Sequence, residues 1–202
     1  MIKYASNAFL ATKISYINEI ANLCEKTGVN VEDVSIGVGL DQRIGSRFLR
    51  PGPGYGGSCF PKDVVEVNNF YDPNKVSLPL IANIIESNKI QTQWTAKMLK
   101  SIHNEKKLSG IILVGAAFKE DTDDLRNSPT IDIYNELLAE NMNTMIYDDL
   151  IKSEEYLSME DFEKLEGAHL IALMYTAKEN LMSKINSIVS NTNSFLYTPW
   201  QL

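Results

Sequence analysis

The chain has 202 residues, of which 44% are hydrophobic and 22% charged, and this composition is that of a globular protein rather than a collagenous, disordered or disulfide-rich one. Its formal net charge of −7 argues against a general role in binding nucleic acid or a membrane surface, because basic fields hold phosphate groups. No apolar run approaches the roughly 18 residues that cross a bilayer, and no secretory leader is recognisable, so we expect a cytoplasmic protein.

The acidic charge is concentrated in the second half of the chain. Residues 1–105 carry 11 basic and 10 acidic side chains, whereas residues 106–202 carry 8 and 16. An anionic ligand would therefore need a few placed cations. Candidate cations fall in one short stretch of the first half, with solvated loop charges as the alternative interpretation: Arg43, Arg47, Arg50 and Lys62.

The chain begins with two predicted helices. Apolar residues at helical spacing predict a first helix over residues 2–26, followed by Gly28 in a left-handed cap. The residues of this apolar pattern are Ala5, Phe9, Ile17, Ile20, Ala21 and Cys24. Asn30 is a suitable N-cap for a second helix that ends near residue 40.

Two more helices follow a loop that has no sustained period. Pro61 is placed to begin a third helix that reaches about residue 70, since proline is favoured in the first helical turn. A hydrophobic stripe over residues 77–102 predicts a long helix that spans a domain. We expect this stripe to form core or a dimer interface rather than a ligand site.

The second half alternates strands with helices. The predicted strands are 110–115, 144–147, 169–174 and 195–198, and the predicted helices are 129–140, 158–165 and 177–190. This alternation, with right-handed crossovers, implies a doubly wound parallel sheet. We therefore predict an α/β protein with an all-helical domain over residues 1–105 and a Rossmann-like domain over residues 106–202.

The strongest candidate site is the segment 51–63, PGPGYGGSCFPKD. Its glycines let the backbone approach a ligand and turn N–H groups toward an anion such as a pyrophosphate. Cys59 directly precedes a predicted helix and has Lys62 nearby, and both features favour a reactive thiolate. Asp63 lies one turn beyond the sulfur, where a carboxylate can accept a proton or position water. Spacing alone leaves Cys59 open as a nucleophile or as a buried inert thiol.

The remaining candidates are weaker. Cys24 lies on an apolar helix face and is expected in the core, so no disulfide with Cys59 is expected. His103 and His169 have no partner at metal-ligand spacing, so the sequence predicts no metal site. Segment 115–126 follows a strand but lacks the G-x-G-x-x-G spacing, and its Lys119 and Arg126 could hold phosphates or balance acidic neighbours.

Four ordered motifs can be picked out: KYASNAFLA from Lys3, DQRIG from Asp41, GGSCFPKD from Gly56, and FK with TDDLRNSP between Phe118 and Pro129. Together they resemble the motifs of the nucleotide-sugar dehydrogenases of the UDP-glucose/GDP-mannose family. The resemblance implies the family's central helical domain followed by its C-terminal UDP-sugar-binding domain. The family's N-terminal NAD-binding domain is absent from this sequence, so the chain alone is expected to be inactive.

The resemblance also implies a mechanism. Members of the family use NAD to oxidise an alcohol in two steps to a carboxylate, through a thiohemiacetal and a thioester on a cysteine, which Cys59 matches. Lys3 and Asn7, four residues apart on one helix face, would stabilise the oxyanion and assist proton transfer. Asp63 would assist the hydrolytic water.

Ligand contacts follow from the same resemblance. Lys62 and Arg126 would face NAD. The implied UDP-sugar contacts are Arg43, Arg50, Pro51, Gly52, Pro53, Gly54, Tyr55, Gly56, Phe118 and Lys119. The sequence GYGGSCFPKD over residues 54–63 favours UDP-glucose as the substrate. The resemblance implies a role in polysaccharide biosynthesis, and the long helix is expected to form a homodimer. A GDP-mannose or other UDP-hexose dehydrogenase, and a non-catalytic nucleotide-binding or assembly module, are the alternatives.

Overall fold

The computed structural model describes residues 1–69 and 77–198. They belong to two compact units, Met1–Thr92 and a second that begins at Gln93, and each unit is described by itself. The predicted helix end at residue 70 and the last four residues of the predicted 106–202 domain lie outside the described residues. The predicted domain boundary at residue 105 stays a prediction.

The described part of the first unit is helical, as predicted. Its helices are α1 (Ile2–Thr27), α2 (Val31–Gly39), α3 (Phe60–Asn69) and the beginning of α4 (Pro79–Lys106). Gly28 closes α1 at φ +71°, a conformation that costs glycine little. The Asn30 side-chain oxygen caps α2 by accepting the backbone N–H groups of Glu32 at 2.7 Å and Asp33 at 3.4 Å. Both predicted helix boundaries are therefore confirmed.

The core of the first unit lies on a face of α1 that differs in part from the predicted one. Cys24 is 6% exposed and packs in the core as predicted, but Phe9 is 65% exposed and Ala5 is exposed as well. Ala8 and Ala11 are buried instead and pack in one cluster with Val64 of α3. Small side chains on this face let α3 approach α1 closely, and a phenylalanine there would not fit that spacing.

The second unit contains a parallel sheet, which confirms the predicted Rossmann-like fold. Its strands are β1 (Ile111–Val114), β2 (Thr144–Tyr147), β3 (Leu170–Leu173) and β4 (Phe195–Tyr197), and its further helices are α5 (Pro129–Ala139), α6 (Met159–Glu163) and α7 (Glu179–Thr192). The strand order is β2-β1-β3-β4, and all pairings are parallel. The strand order therefore reverses between the neighbouring strands β1 and β3. Doubly wound sheets bind ligands at such a position, beyond the carboxyl ends of the strands.

A buried carboxylate organises this carboxyl edge. Asp148, which follows β2 and is 1% exposed, accepts the backbone N–H of Ala116 at 2.7 Å and the hydroxyl of Tyr175 at 3.1 Å. Burial, and secondarily Asp148, raises the pKa of Tyr175, so its hydroxyl remains a donor. The loops after β1, β2 and β3 thus meet at one side chain.

The predicted N-cap of α5 uses its hydroxyl differently from the expectation. Ser128 occupies the N-cap position and Pro129 the first helical position, as predicted, but the Ser128 hydroxyl makes no capping bond. It donates to the carbonyl of Ala116 at 2.6 Å. Ala116 is therefore held at both its N–H and its carbonyl.

Among the described residues no helix is both long and apolar enough to cross a membrane.

Gly115→Ala is expected to lower the free energy of unfolding of the second unit by about 2 kcal/mol. Gly115 has φ +107°, and an added Cβ would lie 2.4 Å from Cε1 of Tyr175, so both the backbone and the ring resist the methyl group. Urea unfolding followed by circular dichroism measures the effect.

Gly37→Ala provides the control for this substitution. Gly37 lies inside α2, and beyond its chain neighbours and the backbone of its own helix no described atom lies within 4 Å of an added Cβ, so this variant should be neutral or stabilised by up to about 1 kcal/mol. Wild-type stability in Gly115→Ala would show that the loop and Tyr175 are not closely packed.

Candidate active site

A buried carboxylate joins α1 to α3 in the first unit. Asp63, in the first turn of α3, has a side chain that is 1% exposed. Lys3 Nζ lies 3.2 Å from its Oδ1 and 3.0 Å from its Oδ2, and Asn7 Nδ2 donates to Oδ2 at 2.5 Å. Lys3 and Asn7 lie one turn apart on α1, so their side chains reach the carboxylate together. The structure therefore brings together three of the four residues that the sequence nominated for catalysis.

The pKa of Asp63 reflects two opposing effects. Burial alone raises it, but the hydrogen bonds from Lys3 and Asn7 and the charges of Lys3 and Lys62 outweigh burial, so the pKa is lowered overall. The hydrogen bond to Asp63 in turn raises the pKa of Lys3, and the charge of Asp63 adds to this effect. The pair is therefore a carboxylate and an ammonium at neutral pH.

Cys59 is the fourth nominated residue, and it is exposed. It directly precedes α3, and its carbonyl accepts the backbone N–H of Asp63 at 2.8 Å. Its Sγ lies 3.8 Å from the hydroxyl of Ser58. An exposed sulfur at this position does not fit the alternative of a buried inert thiol, whereas Cys24 does.

Residues 51–56, here called the glycine loop, are held in place by side chains of α1 and α4. The N–H of Gly52 donates to Asn18 of α1, and the N–H of Tyr55 donates to Asn88 of α4, both at 2.8 Å. These two N–H groups are therefore occupied by the protein itself. The expectation that the loop turns its N–H groups toward a ligand is wrong for these two groups, because the side-chain amides of Asn18 and Asn88 accept them.

Sequence reasoning missed the amides that hold this loop. They are Asn18, Asn88 and Gln91, whose Nε2 donates to the carbonyl of Gly52 at 2.8 Å. It also missed Lys13, which donates to the carbonyls of Ile44 and Gly45 at 3.0 and 3.2 Å. The available signal was Asn18 itself, an amide on the same face of α1 as Lys3 and Asn7, because a buried amide needs a partner.

The predicted cations of the first unit lie at its surface. Arg43 has a side chain that is 88% exposed and forms a fork with Asp41, with Nη2 and Oδ2 at 2.6 Å. The same pairing raises the pKa of Arg43 and lowers that of Asp41. Arg50 and Lys62 are also exposed.

The second unit places its nominated residues in the loop after β1. Phe118 is half-buried, and Lys119 is exposed with its Nζ 5.3 Å from the centre of the Phe118 ring. Arg126 donates through Nε and Nη2 to Asp124, each at 2.8 Å. The pKa of Asp124 is lowered to about 2, mainly by this pairing. For Arg126 the structure thus has the charge-balancing arrangement that spacing had left open.

Two regions of the chain match two models of one protein family. Residues 1–90 match the central domain of the UDP-glucose/GDP-mannose dehydrogenase family, and residues 112–195 match the UDP-binding domain of the same family. Their order along the chain is the order that the motifs indicated.

Individual relatives give the same result. A UDP-glucose 6-dehydrogenase of Rickettsia prowazekii is 46% identical over the whole of this chain, which covers 45% of that protein. A UDP-glucose dehydrogenase structure from Pyrobaculum islandicum has a TM-score of 0.73 at 29% identity, over 87% of this chain and 42% of the other. A UDP-D-ManNAc dehydrogenase structure from Pyrococcus horikoshii has a TM-score of 0.77 at 26% identity, over 94% and 44%.

The chain thus spans less than half the length of the curated relatives it matches, and its similarity to them extends across both units. The motifs, the fold, the two domain matches and the relatives all agree. From these observations we conclude that the chain belongs to the UDP-glucose/GDP-mannose dehydrogenase family.

Proposed function

We propose that this chain is the catalytic-cysteine and substrate-binding portion of an NAD-dependent dehydrogenase that oxidises the C6 alcohol of UDP-glucose to the carboxylate of UDP-glucuronate. The observation that carries the proposal is the exposed Cys59 at the start of α3, one turn from a carboxylate that Lys3 and Asn7 hold. In this proposal residues 1–105 carry the catalytic cysteine and the dimer contact, and residues 106–202 bind the UDP-sugar.

Cys59 is the nucleophile of the proposed reaction. Its thiolate adds to the C6 aldehyde carbon and forms a carbon–sulfur bond, which keeps the aldehyde from escaping. Loss of a hydride from the oxyanion form of this thiohemiacetal gives a thioester, and water then cleaves the carbon–sulfur bond to release the carboxylate, the thiol and a proton. The exposure of Cys59 supports this role, because the sulfur must be reached by substrate and by water.

Lys3, Asn7 and Asp63 divide the proton and charge chemistry in this proposal. The Lys3 ammonium and the Asn7 amide donate hydrogen bonds to the oxyanion that forms at C6. Asp63 has a lowered pKa, so it stays ionised but is a weak base. Its part is to hold Lys3 and Asn7 in place and to orient the hydrolytic water.

Each unit carries candidate contact residues for the sugar nucleotide. Arg50 is exposed and could contact an anionic substrate, whereas the exposed guanidinium of Arg43 would first have to leave Asp41. Lys119 is exposed beside Phe118. The backbone of residues 51–56 would line the sugar-nucleotide site. The match of residues 112–195 to a UDP-binding domain supports a uridine nucleotide, and the relatives named for UDP-glucose support glucose as the sugar.

NAD supplies the hydride acceptor of both oxidation steps when it is bound. The exposed ammonium of Lys62 fits an anionic diphosphate, because it is a solvated point charge three residues from Cys59. Arg126 would be a second contact, although its guanidinium is paired with Asp124 here. A homodimer through α4 is supported by Leu80 and Ile90, which are 66% and 52% exposed on that helix.

UDP is expected to raise the melting temperature of this chain, whereas NAD at the same concentration should change it little. A ligand that binds only the native state stabilises it by mass action, by about 2.7 kcal/mol at a hundred times its dissociation constant. Differential scanning fluorimetry measures both shifts, with GDP as the control for the base. Equal shifts with UDP and NAD would contradict the proposed division of binding between this chain and an NAD-binding domain.

Cys59→Ser is expected to reduce UDP-glucose-dependent NADH formation by about a thousandfold or more, because serine lacks an accessible anion at neutral pH. The assay uses this chain joined to an NAD-binding domain of the same family. Cys24→Ala is the matched control, since Cys24 is the other free thiol and is buried in the core. Full turnover by Cys59→Ser would exclude the covalent mechanism.

A further inference from the structure

We propose that Asn88 of α4 is a positioning residue that fixes the glycine loop in the conformation that receives the sugar nucleotide. The inference rests on the proposed function, because the binding role of the loop is part of that proposal. It concerns only contacts within the first unit, and Asn88 was not among the residues that the sequence nominated.

Asn88 holds Tyr55 at both backbone polar groups. Its Oδ1 accepts the N–H of Tyr55 at 2.8 Å, and its Nδ2 donates to the carbonyl of Tyr55 at 3.0 Å. A carboxamide carries one acceptor and two donors, so it can pair with a peptide group as a neighbouring strand would. The Tyr55 side chain is 6% exposed, and burial raises its pKa to about 12. Residue 55 is therefore fixed at its backbone and its ring.

The same kind of pairing occurs three residues earlier in the loop. Gly52 donates its N–H to Asn18 and accepts from Gln91 Nε2, both at 2.8 Å. Gln91 lies one turn from Asn88 on α4, and its Oε1 accepts from Asn22 of α1 at 2.8 Å. Three side-chain amides from two helices thus bracket residues 52 and 55, and a fourth, that of Asn22, supports Gln91.

These hydrogen bonds from side-chain amides matter because the glycine loop has little conformational preference of its own. Residues 51–56 form neither helix nor strand, and Gly54 has φ +136°, a region open to glycine but not to most residues. A glycine-rich segment left free would lose much backbone entropy on binding a ligand. A loop ordered in advance avoids that loss, so the amides are expected to increase affinity for the substrate.

The test measures the dissociation constant for UDP-glucose by isothermal titration calorimetry, on this chain, well below its melting temperature. Asn88→Ala removes both hydrogen bonds and is expected to weaken binding about tenfold or more. Asn88→Asp has nearly the same volume, keeps an acceptor for the Tyr55 N–H and loses the donor to the Tyr55 carbonyl. It should also weaken binding, and it serves as the second variant if the alanine variant does not fold.

Asn83→Ala is the matched control. Asn83 is an exposed amide on the same helix, and its Nδ2 donates only to the carbonyl of Pro79 within α4, at 2.7 Å. Its loss should leave the dissociation constant unchanged. Melting temperatures of the unliganded variants separate stability from positioning, because a purely structural role of Asn88 would lower the melting temperature without changing the affinity of the folded chain.

The outcomes distinguish this inference from the proposed function. If wild type binds UDP-glucose and the folded Asn88 variants bind it equally well, the positioning role is wrong and the proposed function stands. If wild type binds no UDP-glucose, the proposed function and this inference both fail. Weaker binding by the Asn88 variants, with unchanged binding by Asn83→Ala, supports the positioning role.

Discussion

The first unit depends on one buried carboxylate that two residues of α1 hold. Asp63 is 1% exposed, and a charged group at such a position is stable only with partners, which Lys3 and Asn7 supply. Because Asp63 belongs to the first turn of α3, these contacts fix the start of that helix against α1. Cys59 precedes that turn directly, and its carbonyl accepts the backbone N–H of Asp63, so the backbone position of Cys59 follows from the same interaction.

The parts of the fold that could be predicted from sequence are those set by nearby residues. The cap at Gly28, the N-cap at Asn30 and the four strands depend on short segments, and the structure contains them all. The buried face of α1 was predicted less well. Phe9 and Ala8 are adjacent, and packing in the cluster that includes Tyr55, Val64 and Ile84 decides that the alanine is buried while the phenylalanine is exposed.

The candidate site likewise contains some residues that the sequence could nominate and others that it could not. Cys59, Lys3, Asn7 and Asp63 could be nominated from motifs, and three of them are in hydrogen-bond contact. The amides that hold the glycine loop could not be nominated. Their bonds to the loop connect residues 33 to 39 positions apart, and no local pattern specifies such partners. In the second unit the role of Asp148 was missed for the same reason, because it acts across three loops.

The proposed function requires that Asp63, with Lys3 and Asn7, places the sulfur of Cys59 where it can attack C6 of the sugar. The most direct measurement is a crystal structure of this chain with UDP-glucose, joined to an NAD-binding domain of its family. We predict that the C6 carbon lies about 3–4 Å from Sγ of Cys59, the range of a near-attack geometry, with Lys3 and Asn7 still on Asp63. A well-ordered substrate with C6 about 8 Å or more from that sulfur would contradict the account.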